Sequence, residues 1–171
     1  TYFSGLFEEE STNKKAADII ISEVERLNRV ISELLDVAHP SDIQRQDTQL
    51  REILESTLEL VRQEAKNSGV DLSVSINENL PLISVDPDRI SQALINLYLN
   101  AIKAMKDGGT LGIHAKAKPD NVTVSISDTG CGISPSDLSK IFDPYYTSKS
   151  TGTGLGLAIV HKIIEAHGGK I

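Results

Sequence analysis

The stretch DPDRISQALINLYLNAIKAMKDGG, residues 86 to 109, constrains the architecture more than any other. Asp86 is a residue type that caps helices, Pro87 suits a first helical position, and Gly108 and Gly109 close the segment. Between those ends Ile90, Leu94, Leu97, Ala101 and Met105 recur at helical spacing. The pattern predicts one long helix with a single apolar face, and such a face must be buried against another layer. TLGIHAKA and VTVSISD follow at once, each alternating apolar and polar residues, joined by KPDN as a predicted hairpin turn.

The remaining elements extend this plan. VDLSVSI alternates Val70, Leu72, Val74 and Ile76 as a strand with one buried face, and PLISVD reads as a second, short strand. Upstream, a helix capped near Asp47 or Thr48 carries Leu50, Leu54, Leu58, Val61 and Ala65 on one face and ends at Gly69. A short helix is expected within SPSDLSKIF, then a polar stretch TSKSTGTG, then a final helix in GTGLGLAIVHKIIEAHGG. Helices interspersed with strands, without regular strand–helix–strand repeats, predict an α+β fold. It is a two-layer sandwich with a mixed sheet covered on one face by helices.

Residues 13 to 39 stand apart. Ile20, Val24, Leu27, Ile31, Leu34 and Ala38 are spaced 4, 3, 4, 3, 4, a heptad seam that Pro40 stops. A narrow apolar seam wants a partner helix, and TYFSGLF reads as the tail of one. The organisation expected is a helical segment over 1–40, a linker over 41–48 and a globular domain from 49 to 171.

Composition closes off several function classes. The 171 residues are 39% hydrophobic and 4% aromatic, so one core built of Leu, Ile, Val and Ala is expected. The net charge of −7, with no basic stripe, argues against a nucleic-acid partner. A lone cysteine, Cys131, excludes an internal disulfide framework. No apolar run approaches a membrane span and the start does not read as a signal peptide, so a soluble piece is expected.

Three groups of residues break their own pattern. Val122, Val124 and Ile126 share a strand face, and Asp128 falls on that same parity, where a buried carboxylate needs hydrogen bonds. Gly130 and Gly132 follow it. By itself the arrangement also reads as a strand-end turn in which Asp128 caps the next loop. On the long helix, Asn96, Asn100 and Lys103 share a face: amide oxygens can ligate Mg²⁺ and a lysine can neutralise phosphate, but a solvated stripe has the same spacing. Gly152, Gly154 and Gly156 open the final helix, where free N–H groups and the macrodipole favour an anion. No Lys-Ser or Lys-Thr pair follows, so this is not a P-loop, and it is a poor dinucleotide fingerprint.

In sequence order, NLYLNAIKA (96–104 from Asn96), DTGCGI (128–133), FDPYYTSK (142–149) and GTGLGL (152–157) resemble the N, first-glycine, F and second-glycine boxes of sensor histidine kinases. VDPDRISQALINL and the closing HGGKI resemble the same family, and the aromatics after Pro144 are most similar to nitrogen- and metal-responsive two-component sensors. The resemblance implies a GHKL-type ATP-binding domain with ATP and Mg²⁺ as cofactors. It implies that Asp128 reads the adenine amine between Gly130 and Gly132, and that Asn100 ligates Mg²⁺. Asn96 would lie near the triphosphate and Lys103 would face phosphate. Gly152, Thr153, Gly154, Leu155 and Gly156 would run under the phosphates, with Leu157 helping to anchor the helix. Residues 143 to 153 would form an ATP lid offering Lys149 to the γ-phosphate, with Tyr145 and Tyr146 packing its base.

The same resemblance implies a homodimer through the heptad helix, a response-regulator receiver domain as partner, and a cytoplasmic position in a sensor anchored in the inner membrane by regions outside this sequence. His39, His114, His161 and His167 lack the context of a phosphoacceptor, which is therefore expected upstream of Thr1. In the family two further strands follow HGGKI. Clamp-type ATPases of the superfamily carry a glutamate at the place of Asn96, which makes them the weaker alternative. A dimeric scaffold that binds ATP without catalysis is another.

Overall fold

The computed structural model describes residues 14–21, 23–24, 43–147 and 153–171. The chain divides into two compact units, residues 1–40 and 41–171. In the first, residues 14–21 and 23–24 are helical, and Ile19, Ile20 and Val24 of this stretch are exposed. The seam positions Leu27, Ile31, Leu34 and Ala38 lie outside the described residues.

The second unit runs β1 (Gln46–Gln49), α1 (Leu50–Asn67), β2 (Val70–Ile76), β3 (Leu82–Val85), α2 (Pro87–Ala104), β4 (Gly109–Ala117), β5 (Val122–Asp128) and α3 (Gly156–Ala166). The main sheet has the order β2-β4-β5, with β2 and β4 parallel and β4 and β5 antiparallel. β1 and β3 form a separate antiparallel pair. Helices α1 and α2 pack on each other and on the sheet, and α3 packs on α2. This is the expected mixed sheet covered by helices.

Alternation decides which face is covered. Leu111, Ile113 and Ala115 of β4 are buried, and Val74, Ile126 and Val124 stand opposite the last two of these on the same face. The other face carries Ser75, His114 and Ser125 in one row across the three strands. A polar row of this kind is what a solvated sheet face requires.

Three expectations are corrected. Residues 46–49, assigned to a linker and a helix cap, form β1, paired from Gln46 with Val85 to Gln49 with Leu82. The helix cap is Gln49, whose side chain makes no capping bond. The start of α1 is instead fixed by Arg51, which donates to the Ile76 and Asn77 carbonyls at the end of β2. Within SPSDLSKIF there is no helix but a series of turns: the Asp137 and Lys140 N–H groups bond carbonyls three residues back, and the four-back bond from Leu138 N–H to the Ser134 carbonyl is not continued. On α2, Ile90, Leu94, Ala101 and Met105 are buried as expected, but Leu97 is only half-buried. Ala93, Tyr98 and Ile102 are buried in addition, since a helix with neighbours on several sides needs a wide apolar stripe.

Tyr98 is fully buried, and among the described residues its hydroxyl has no partner at full hydrogen-bond geometry, although the Thr57 hydroxyl lies near it. Burial pushes its phenol up to about 12, against a smaller lowering by the Thr57 hydroxyl, which bonds the Ile53 carbonyl of its own helix. Tyr98→Phe removes a buried, unpaired polar atom and should leave stability unchanged or raise it by up to about 1 kcal/mol, as read by urea denaturation.

Asp86 is the opposite case. It is 7% exposed, yet its carboxylate accepts N–H bonds from Asp88 and Arg89 in the first turn of α2 and from Gln44 ahead of β1. Burial pushes its carboxyl pKa up, but those three bonds and the Arg89 charge outweigh it and leave it below the usual carboxylate range. A depressed carboxylate stabilises the fold above its unfolded pKa of about 4 and loses that contribution as pH falls through the lower folded value. Asp86→Ala should therefore cost about 1–2 kcal/mol at pH 7, with the gap to wild type closing below pH 4 in the same denaturation assay.

Candidate nucleotide site

α2 is the backbone of the site. Asn96 and Asn100 are one turn apart and half-buried, and both face the start of α3. A Cβ added at Gly156 would lie 3.8 Å from Asn100 Nδ2 and 3.9 Å from Asn96 Oδ1. The first turn of α3, with its free N–H groups, therefore opens beside two neutral amides. Lys103 follows on α2 and is exposed. Leu155 is buried, anchoring the helix start, and Leu157 is half-buried. Thr153 Oγ1 accepts the Leu155 N–H at 3.3 Å.

The Asp128 turn is fixed to the far end of the same helix. Gly130 lies so close to Ala104 that a Cβ would come within 2.7 Å of its carbonyl oxygen, and Cys131 N–H bonds that oxygen at 3.2 Å. Asp128 pairs with buried Leu111 in the ladder, so its parity on the helix-facing side is as expected. Its burial is not: Asp128 is exposed, and its Oδ1 accepts the Gly130 N–H at 2.9 Å. The local capping bond stabilises the turn, and none of the described elements covers this end of β5. An exposed carboxylate on the apolar side of a sheet leaves its other oxygen free for a ligand donor. Gly132 has open space around it, and Cys131 is exposed.

The described residues Tyr145 and Gly154 are joined through their backbones. Tyr145 N–H donates to the Gly154 carbonyl at 3.0 Å, with Tyr145 at a φ of 67°. The Tyr145 side chain is exposed; its backbone, not its ring, makes the closure. Tyr146 Oη donates to Asp137 Oδ1 at 2.7 Å, which lowers the Asp137 carboxyl pKa and raises that of the Tyr146 phenol. Phe142 packs on His161 of α3 with ring centroids 5.3 Å apart. Lys149 and Gly152 lie outside the described residues.

Sequence reasoning missed the closure and the backing of Gly130 by Ala104. Both are backbone contacts between distant segments, and residue type carries no signal for them. Among the described residues no group of three His, Cys, Asp or Glu side chains could hold a metal ion. The donors available are amides.

A helix bearing two amides, a glycine turn at its end and a second helix opening beside it define a nucleotide-binding α/β sandwich. Residues 85–171 match the family of histidine kinase-, DNA gyrase B- and HSP90-like ATPases, and the chain belongs to that family. It is 46% identical over 156 residues to the sensor histidine kinase ZraS of Salmonella typhimurium, covering 91% of this chain and 34% of that one. Sporulation kinase E of Bacillus subtilis is 36% identical over 155 residues, covering 90% of this chain and 21% of that one. The chain thus spans about a third or less of these relatives. Among solved structures, the nucleotide-free catalytic domain of the histidine kinase ThkA superposes with a TM-score of 0.69 at 35% identity, covering 75% of this chain and 86% of that one. Full-length ShkA in complex with AMPPNP shares the fold over 97% of this chain and 36% of that one, with a TM-score of 0.83 at 24% identity.

The glycines supply a direct test of the closure. Gly132 and Gly154 both have left-handed φ, 72° and 71°, but only at Gly154 would a Cβ collide, with the Tyr145 backbone. Gly132→Ala should cost about 1 kcal/mol of backbone strain, and Gly154→Ala clearly more, as measured by chemical denaturation of the two variants side by side.

Proposed function

We propose that this chain binds Mg-ATP between α2, the Asp128 turn and the first turn of α3, and serves as the kinase domain of a sensor histidine kinase. The γ-phosphoryl group would pass to a histidine outside this sequence and onward to an aspartate of a response regulator. What carries the reading is the meeting of Asn96 and Asn100 with the opening of α3, on the helix whose last turn holds the Asp128 turn.

Each residue has a task that its surroundings suit. The free oxygen of Asp128 accepts a hydrogen bond from the exocyclic amine of adenine, with Gly130 and Gly132 beside it. The N–H groups of Gly154 and Gly156 meet the phosphates, with Gly152, Thr153 and Leu155 completing the loop. Mg²⁺ fits a site of amides, because it binds through few protein ligands and keeps waters and phosphate oxygens. Asn100 would hold it, with Asn96 beside the triphosphate. When bound it neutralises charge on the phosphates. Lys103, and Lys149 from the lid, add positive charge. The chain's contribution is positioning and charge neutralisation, without a covalent step of its own.

A water-activating base is not present at Asn96, because an amide cannot take a proton. This favours transfer over the clamp-type hydrolysis of other family members. The exposed Ile20 and Val24 support a homodimer through the first unit. The complex of ThkA with the response regulator TrrA, with a TM-score of 0.76 at 28% identity over 98% of this chain and 48% of that one, supports a receiver domain as partner. No helix among the described residues is long and apolar enough to cross a membrane, so the anchoring of a sensor would fall to other regions.

Calorimetric titration of Mg-ATP and ADP into the chain tests the reading. Wild type should bind both, and Asp128→Asn should weaken ATP about 10- to 100-fold through loss of one charged hydrogen bond. Unchanged affinity in the variant would remove Asp128 from the site, and a folded wild type that binds neither nucleotide would overturn the proposal. Label passing from ATP to an added acceptor helix would then distinguish a kinase from a scaffold.

A further inference from the structure

We propose that Thr129 is a positioning residue that sets the register of the adenine-reading turn; the proposal rests on the nucleotide reading above. Its hydroxyl stands where three elements meet. Thr129 Oγ1 accepts the Thr110 N–H at 3.0 Å, near the start of β4, and directs its own hydrogen to Met105 Sδ at 3.7 Å, at the buried end of α2. The β4–β5 ladder runs from Ala117 with Val122 to Leu111 with Asp128, so Thr110 is the residue just beyond it. The hydroxyl takes the Thr110 N–H and ends the ladder at Asp128. The bond lies at the exposed end of the ladder, where a side-chain oxygen takes the N–H without continuing the strand.

Space is reserved for that oxygen. A Cβ at Gly109 would come within 2.5 Å of Thr129 Oγ1 and 2.9 Å of Met105 Sδ. The next residues reach the same helix end: Gly130 packs on Ala104, and Cys131 N–H bonds the Ala104 carbonyl. Consecutive residues after Asp128 are thus fastened to Ala104 and Met105, one turn past Asn100. A strand that slips by one residue turns every side chain to the other face, which would carry Asp128 out of the site. Thr129 touches no nucleotide in this scheme. It acts through the placement of Asp128, and therefore on the choice of base. Adenine presents an amine donor where guanine presents a carbonyl oxygen, and only the first can bond a carboxylate.

The test compares Thr129→Val, which keeps the shape and loses the hydroxyl, with Thr129→Ser, which keeps the hydroxyl. Mg-ATP and Mg-GTP are titrated into the whole chain, and melting curves are recorded for each variant. The Val variant should lose at least about tenfold in ATP affinity with little change toward GTP, so that base preference falls, while the Ser variant stays near wild type. Equal losses for both nucleotides, wild-type affinity in the Val variant, or failure of Ser to restore the preference would each overturn the positioning role. If the Val protein does not fold, Thr129→Ala carries the same comparison, with the same outcomes. Wild type that binds neither nucleotide would instead overturn the underlying nucleotide reading, which separates the two failures.

Discussion

Asp86 ties three segments of this domain together, two through its carboxylate and one through its backbone. Its own N–H donates to His167 Nε2 at 3.0 Å, while His167 Nδ1 lies 2.7 Å from the Ile163 carbonyl. Those two bonds require the neutral imidazole with its proton on Nδ1. Arg45 donates to the Ala166 carbonyl at 2.8 Å, beside the same histidine. The segment leading into β1, the start of α2 and the end of α3 therefore meet at one residue, the first two at its buried carboxylate and the last at its backbone N–H. A charge so buried is tolerable because each of its oxygens is bonded and a helix N-terminus lies against it. Both helices that frame the candidate site are fastened here, at the ends opposite to the chemistry.

This arrangement divides the labour of α2 along its length. Its first turn is tied to the approaching chain, its middle presents Asn96 and Asn100 to α3, and its last turn backs Gly130 after Asp128. Packing of Ile90, Leu94, Tyr98 and Ala101 holds the helix in place. Polar tasks fall on the faces and ends that packing leaves free. The proposed site has amides rather than carboxylates beside the start of α3, which would avoid placing like charges where a triphosphate would lie.

Much of this was legible in the sequence, and what was not has a common cause. Helices α1, α2 and α3 announced themselves through caps and spacing, since Pro87, Gly69 and the Leu and Ile positions act locally. The β4–β5 hairpin did so through alternation and its turn, closed by Lys118 N–H on the Asn121 carbonyl at 2.7 Å. Strand β1 was hidden because QDTQ has no apolar alternation and is held by pairing with β3, nearly forty residues away. The turns over 134–142 have helical composition, but Asp137 is engaged by Tyr146 from beyond the segment. For Asp128, parity was readable and exposure was not. Parity belongs to one strand, whereas exposure depends on what the rest of the fold places over it.

The bond between Tyr145 and Gly154 sets the terms on which the intervening loop can change. Tyr145 and Gly154 are held against each other, so whatever joins them must begin and end at one place. The entropy of closing such a connection grows only with the logarithm of its length, about 0.6 kcal/mol for each doubling. A loop seated this way can be lengthened, shortened or recomposed while Leu155 and the helix behind it keep their position. The fold thereby separates the part of the site that must stay in register from a part free to diversify.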